Sequence, residues 1–173
     1  MLEAVTAYFT RIKIDKLLVA MFRSTGVSLE VFFLTLLFSL PLALLICFGR
    51  MSKVKVVAKV TNVFMLIIRG TPLMLQLIFV YFAPPTLFHV GLDRFTAAIV
   101  AMVVNYAAYF AEIYRGGIQA VPVGQYEASK VLGFTKTQTF SRIVLPQVVK
   151  RIIPAMGNEV ITLVKDTALV QVL

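Results

Sequence analysis

The feature that most constrains this chain is an apolar run at residues 27–48, whose only acidic residue, Glu30, lies near one end. A helix of this length crosses the roughly 30 Å hydrocarbon core of a bilayer. Across the chain, 60% of residues are hydrophobic and 14% are charged, which is the composition of a membrane protein rather than a soluble one. The sequence therefore predicts one polytopic membrane domain.

Three further apolar segments follow the first run. They lie at residues 60–82, 95–113 and 152–173, which gives four predicted spans in a membrane domain of residues 27–173. Residues 1–26 mix apolar and charged side chains, so we expect an amphipathic segment lying in the membrane interface. The predicted fold is an all-α bundle of transmembrane helices.

Basic residues set the predicted orientation of the bundle. The loop after the first run carries Arg50, Lys53, Lys55 and Lys59 and no acid. The loop before the third segment carries one basic residue, Arg94. Because lysine and arginine accumulate in cytoplasmic loops, the first loop is assigned to the cytoplasm and the N-terminus to the outside. Four basic residues within residues 1–26 oppose this orientation, and the later loops outweigh them.

The second apolar segment is interrupted by Arg69-Gly70-Thr71-Pro72. Pro72 removes a backbone donor and disfavours helix at Thr71, so the freed carbonyls need partners in protein or in a water-filled cavity. Two interpretations carry equal weight. The interruption is either a packing kink with Arg69 paired or reaching the interface, or a backbone break that lines a substrate path.

Polar residues also follow one face of the third segment. Asn105, Tyr109 and Glu112 are spaced at i, i+4 and i+7, which places them on the same side of a helix. Such a stripe should face the bundle interior or a cavity. For Glu112, an ion pair with Arg115 at the cytoplasmic end is slightly favoured over contact with a ligand.

The last apolar segment carries the strongest polar stripe. Its members share one helix face and are Asn158, Glu159, Thr162, Lys165 and Asp166. Each ionisable group costs roughly 2.5 to 3.5 kcal/mol in lipid. One interpretation is a mutual ion-pair network. The other is a midplane site where the carboxylates meet an ammonium group and Lys165 meets a carboxylate, and the excess of acids would suit a cationic amino acid unless Arg69 cancels it.

Metal and hydrolytic chemistry find little support in the sequence. The chain has one cysteine, Cys47, and one histidine, His89, which leaves no His/Cys metal cluster and no Ser/His/Asp triad. An intramembrane enzyme would have to use Glu112, Glu159 and Asp166 as acid and base groups without a nucleophile motif. A channel or scaffold is the remaining alternative, because polar stripes also line ion pathways.

Between the third and fourth spans the chain leaves the membrane for about residues 114–147. Residues 125–132 predict a short helix stopped by Gly133 in the left-handed region. Thr135 and Gln138 have the spacing of a capping box, which predicts a second short helix ending near Leu145-Pro146. Connections between helices are usually about two to eight residues long. A longer, capped one indicates docking to a partner.

The two short helices predicted within residues 114–147 form a helical hairpin, and this hairpin carries a recognisable motif. Glu127-Ala128-Ser129, Gly133 and Ile143-Val144-Leu145-Pro146 resemble the EAA signature of bacterial ABC importer permeases, with Ser129 in place of the second alanine. Two other passages resemble the branch of that family that imports polar amino acids. They are Arg69-Gly70-Thr71-Pro72 followed by Gln76, and Gly157-Asn158-Glu159 with Lys165-Asp166-Thr167.

The resemblance implies a type I importer in the bacterial cytoplasmic membrane. Two permease subunits, identical or different, would work with two ABC ATPase subunits and an extracellular substrate-binding protein to carry a polar amino acid. The ATPase would bind ATP and Mg²⁺ and this chain no cofactor, since it has no G-x-x-x-x-G-K-[ST] loop. Such permeases usually have five spans, so a fifth is expected beyond Leu173.

The resemblance assigns a coupling role to residues of the hairpin, and the polar stripes and the break indicate the substrate contacts. The coupling residues that would contact the ATPase are Glu127, Ala128, Ser129, Gly133, Ile143, Leu145 and Pro146. The candidate substrate contacts are Glu159, Lys165 and Asp166 with Asn158 and Thr162 beside them, and Thr71, Gln76 and Asn105 as neighbours.

Overall fold

A computed structural model describes residues 14–172 as helices joined by short connections. In chain order the helices are α1 (Ile14–Arg50), α2 (Lys55–Gly70), α3 (Leu73–Phe88), α4 (Arg94–Gln119), α5 (Val123–Val131), α6 (Lys136–Gln138) and α7 (Leu145–Asp166). A π-helical turn (Thr139–Val144) joins α6 to α7, and a 3₁₀ segment (Thr167–Val172) follows α7. No strand occurs in this described range. The predicted all-α class is confirmed.

Helix α4 lies at the centre of the bundle and packs against α1, α2, α3 and α7. Its buried face is rich in small residues, namely Ala97, Ala98, Ala101, Ala107, Ala108 and Ala111. The buried face of α1 is also small, with Thr35, Ser39, Ala43 and Cys47 at intervals of four residues. Small side chains let helix backbones approach closely, which is how helices associate where lipid supplies no hydrophobic driving force.

The opposite face of α1 is apolar and exposed. Phe33, Leu37, Leu45 and Phe48 each leave more than half of their surface uncovered. Clusters of large exposed apolar side chains mark a lipid or protein contact rather than a water-facing surface. This pattern fits the membrane location expected from composition.

Membrane-crossing length is clearest in two of the described helices. Helices α1 and α4 are long and apolar enough to span, and α2 with α3 adds a third span if the bent pair counts as one. Helix α7 carries five charged residues and is not among them. The count of four spans stays a prediction.

The predicted interruption at Thr71-Pro72 is confirmed as a break in the helix. Helix α2 ends at Gly70, α3 begins at Leu73, and the two axes differ in direction by 106°. Pro72 is the N-cap residue of α3, a position where its missing N–H leaves no helical bond unmade.

The predicted division at residues 26 and 27 is not an end of a helix. Helix α1 continues through Gly26 without interruption. Residues 1–13, which carry half of the predicted interfacial segment, lie outside the described residues, and the interfacial location stays a prediction.

The hairpin after α4 follows the sequence up to its second helix. Gly133 has a φ of +75° after α5, as predicted, and the capping box of Thr135 and Gln138 is present. The prediction that the second helix ends near Leu145-Pro146 is wrong. The Leu145 N–H bonds to the Phe140 carbonyl five residues earlier, and this wide turn lets the helix continue past Pro146.

Candidate functional site

A polar cleft of about 410 Å³ lies between the α2–α3 break, α4 and α7, and we call it the central cleft. Its lining residues come from all three parts of the bundle and are Arg69, Gly70, Thr71, Pro72, Leu73, Asn105, Tyr106, Tyr109, Glu159, Thr162 and Asp166. The break between α2 and α3 therefore faces the polar stripe on α7.

Gln76 holds the break together. Its side-chain Nε2 donates to the Ile68 carbonyl at 2.7 Å, with the Thr71 carbonyl at 3.1 Å and the Thr71 hydroxyl at 2.8 Å as further acceptors. Its Oε1 accepts a 3.0 Å hydrogen bond from the Asn105 side chain on α4. The carbonyls freed by Pro72 thus find their partner in protein. Thr71 and Asn105 line the cleft. Gln76 does not line it and instead forms hydrogen bonds to Thr71 and Asn105.

The two acids of the last segment both reach the central cleft. Asp166 Oδ2 accepts a 2.7 Å hydrogen bond from the hydroxyl of Tyr106, whose side chain is 1% exposed. Glu159 lies two helical turns earlier on the same face and is half-buried. Sequence reasoning missed Tyr106, although a buried tyrosine hydroxyl usually needs a partner, and that requirement could have pointed to it.

Two members of the predicted stripe, Asn158 and Lys165, do not line the cleft. Thr162 lines it, but Asn158 and Lys165 are exposed on the neighbouring side of α7. Each residue advances about 100° around a helix, so these two lie at one edge of the stripe and Glu159 and Asp166 at the other. In the described part of the chain, Lys165 forms no ion pair with either acid. The expected role of Lys165 opposite a carboxylate does not fit this geometry.

The cationic side chain that lines the cleft is Arg69, where Lys165 was expected. Its guanidinium lies 5.2 Å from the centre of the Tyr109 ring, within cation–π range. One of its nitrogens is 4.0 Å from Glu112 Oε2, a loose ion pair. The cleft therefore contains one cationic and two acidic side chains.

Glu112 itself does not line the central cleft. Both of its carboxylate oxygens accept from the Arg115 guanidinium, with Arg115 Nε 3.0 Å from Oε2. The prediction that Glu112 pairs with Arg115 at this end of α4 is confirmed.

The hairpin presents a second surface, built around Ser129. The Ser129 hydroxyl donates to the Tyr126 carbonyl at 2.8 Å and accepts from the Thr139 hydroxyl at 3.0 Å, which ties α5 to the π-helical turn. Ser129 is buried, so among the predicted coupling residues it acts from inside the hairpin. Glu127, Ala128 and Pro146 are exposed, as are Gly133 and Leu145, while Ile143 is partly covered.

Two large apolar side chains stand out on the same surface. Val131 is 88% exposed and Leu132 is 72% exposed, next to the turn at Gly133. Sequence reasoning did not select them, although an apolar pair at the tip of a polar hairpin is the signal of a contact surface.

The comparisons with known proteins agree with this arrangement. Residues 36–173 match the family described as the binding-protein-dependent transport system inner membrane component. The L-cystine transport system permease protein TcyB of Bacillus subtilis is 42% identical over 136 residues, which cover 79% of this chain and 58% of TcyB. The arginine transport system permease protein ArtQ of the same species is 37% identical over 148 residues, covering 86% of this chain and 68% of ArtQ. The chain thus spans between half and about two thirds of these relatives.

Solved structures show the same fold. In the crystal structure of an amino acid ABC transporter with histidines, one chain superimposes with a TM-score of 0.78 at 36% identity, covering 89% of this chain and 75% of that chain. The resemblance drawn from the hairpin motif is confirmed. This chain belongs to the family of binding-protein-dependent transport system inner membrane components.

Proposed function

We propose that this chain is a permease subunit of an ATP-driven importer and that its central cleft binds a polar amino acid. The observation that carries the proposal is the charge content of the cleft, which is lined by Glu159 and Asp166 from α7 and by Arg69 at the end of α2. A free amino acid has an ammonium and a carboxylate a few ångströms apart. Acidic and basic groups on opposite walls of one cleft suit such a molecule.

Different residues of the cleft would bind the ammonium group and the carboxylate of the amino acid. Asp166 is already engaged by the Tyr106 hydroxyl, so Glu159 is the acid available to the ammonium group. Arg69 offers a planar guanidinium to the carboxylate. The first turn of α3, at Pro72 and Leu73, also lines the cleft, and a helix N-terminus favours negative charge.

The chemical class of the side chain follows from the remaining charge. With two acids and one arginine, the lining has one carboxylate more than it needs for a neutral zwitterion. A cationic amino acid would satisfy that carboxylate, and this remains our preferred class. The names of the relatives TcyB and ArtQ, for L-cystine and arginine, support an amino acid without choosing among them.

The hairpin would transmit conformational changes of the ATPase to the central cleft. Glu127, Ala128 and the apolar pair Val131 and Leu132 offer the surface for an ABC ATPase. The helix that starts at Lys136 runs through the π-helical turn into α7 and carries Glu159 and Asp166. Closing of the ATPase dimer on ATP would therefore move the cleft acids together with the hairpin, which is the basis we propose for alternating access.

The assembly follows from these roles. We propose two ATPase subunits, a second permease subunit and an extracellular substrate-binding protein in the bacterial cytoplasmic membrane, with the N-terminus of this chain outside. ATP and Mg²⁺ would bind to the ATPase.

The test is transport by the reconstituted complex. Proteoliposomes with the chain, its ATPase and its binding protein are screened for uptake of radiolabelled L-arginine, L-glutamine and L-cystine. We expect uptake only with ATP inside the vesicles. Flux of the same amino acids without ATP or partners would contradict the proposal and favour a channel.

A further inference from the structure

A second cavity of about 310 Å³ lies on the hairpin side of the break, and we call it the lower cavity. Its lining comes from the end of α1, from α2 and from α4, and consists of Arg50, Asn62, Met65, Leu66, Arg69, Gly70 and Glu112. Arg69 and Gly70 line both this cavity and the central cleft. The two spaces therefore meet at the end of α2.

The charge of the lower cavity is opposite to that of the central cleft. Arg50 and Arg69 are its cations, and its one acid, Glu112, is already held through both oxygens by Arg115. Within the described residues, the ion pairs join Glu112 to Arg69 and Arg115, and Arg50 takes part in none. The cavity thus has an excess of guanidinium groups and suits a carboxylate.

The boundary between the two spaces is thin. The Arg69 side chain is 40% exposed and lies 4.0 Å from Glu112, so it is not locked in place. Gly70 has no side chain, and a Cβ placed there would meet no atom within 4 Å. A guanidinium has five N–H donors and can hold a carboxylate approached from either side.

We propose that the lower cavity is an exit site that receives the carboxylate of the transported amino acid on its way to the cytoplasm. The inference rests on the proposed function of the central cleft. The carboxylate keeps its contact with Arg69 while the ammonium group leaves Glu159, and Arg50 then takes over the carboxylate. Arg69 belongs to both sites. The binding site also contains the acids Glu159 and Asp166, and the release site also contains Arg50.

Inhibition by internal amino acid tests the exit site. Proteoliposomes enclose ATP and unlabelled L-arginine, L-glutamine or L-cystine, whichever the uptake screen shows to be carried, and the initial rate of labelled uptake is measured. A hydrogen bond to a charged group corresponds to about tenfold or more in affinity. We expect Arg50→Gln to raise the inhibition constant of internal amino acid about tenfold, with the apparent affinity for external amino acid changed less than about twofold.

Two further variants keep the result interpretable. Asn62→Ala alters the lower cavity at an exposed position and should raise the inhibition constant in the same direction even if Arg50→Gln assembles poorly. Lys59→Gln removes an exposed cation from α2 outside the cavity and should leave the constant unchanged. An unchanged constant in both cavity variants, or an equal rise in Lys59→Gln, would overturn the exit site.

Other outcomes separate this inference from the function on which it rests. Unchanged external affinity in Glu159→Gln would refute binding in the central cleft, whatever Arg50→Gln does. Loss of co-purifying anionic phospholipid in Arg50→Gln, with unchanged inhibition by internal amino acid, would assign the lower cavity to a lipid headgroup and also overturn the exit site.

Discussion

Replacing Gln76 by leucine should weaken the bundle at the break, because this one side chain satisfies two backbone carbonyls just before Pro72. Its amide nitrogen has two hydrogens, so at most two of its three acceptors, at Ile68 and Thr71, are fully bonded at once. A third bond comes from Asn105 at 3.0 Å. Hydrogen bonds between side chains in membrane bundles average about 0.6 kcal/mol, so three such bonds correspond to about 2 kcal/mol.

Cys47 provides the measurement. It is the chain's one cysteine, it is 1% exposed in the α1–α4 contact, and a thiol-reactive fluorescent dye reaches it only when the bundle opens. With cysteine-free partner subunits and a fixed heating rate, dye fluorescence reports unfolding of this chain. At roughly 2 to 4 °C per kcal/mol for a chain of this size, Gln76→Leu should lower the midpoint by about 4 to 8 °C.

Thr86→Val is the matched control on the same helix. The Thr86 hydroxyl donates to the Phe82 carbonyl at 2.7 Å, an exposed bond within one helix, so its loss should lower the midpoint by less than about 2 °C. A midpoint for Gln76→Leu equal to that of the wild type would refute the reasoning, since the break would then be held by packing alone.

Three further predictions concern the cleft, the hairpin and the outer loop. Glu159→Gln should raise the apparent KM for amino acid uptake about tenfold or more, while Asn158→Ala, on the exposed side of α7, should not; equal effects would mean that the stripe is structural. Gly133→Val should reduce co-purification of the ATPase, because a β-branched residue at a φ of +75° is strained by roughly 1 to 2 kcal/mol, and Gly133→Asn should retain it. Hydrogen bonds from Thr96 lower the pKa of Asp93 at the N-terminus of α4, so its stabilising contribution is complete above the ordinary carboxyl pKa and is lost as pH falls through the lowered one. Protection factors against hydrogen exchange at this end of α4, calculated relative to the intrinsic exchange rate at each pH, should therefore decrease at acidic pH, and Asp93→Asn, which still caps, should remove the pH dependence.

Local chemistry made several of these features predictable from sequence. Pro72 removes a backbone donor and disfavours helix at Thr71, Gly133 permits a left-handed turn, and Thr135 with Gln138 makes the capping box. Each of these effects is local to a few residues. The periodicity of polar residues likewise placed Glu159 and Asp166 on one face.

What the sequence could not supply was the choice of neighbours. The polar stripe covers about a third of the circumference of α7, and the sequence does not show which edge of it packs against the other helices. Lys165 was therefore expected in the cleft, but the cationic side chain found there is Arg69. The hydrogen bond between Tyr106 and Asp166 joins residues sixty positions apart and depends on how α4 meets α7. Pro146 was expected near the end of a helix. The helix continues past it because of the π-helical turn, which is hydrogen-bonded to α5 through Thr139 and Ser129, and sequence alone does not show this contact.

The small residues between α1 and α4 bear on how the bundle moves. Among residues 14–172, the buried hydroxyls of Thr35 and Ser39 have no hydrogen-bond partner, and the alanine side chains of α4 are small and carry no hydrogen-bond donor. Sliding one helix along the other therefore breaks no hydrogen bond of these two hydroxyls and displaces little side-chain volume. The contact resists separation through close van der Waals packing but resists shear only weakly, which favours small translations of α1 along α4 over their parting.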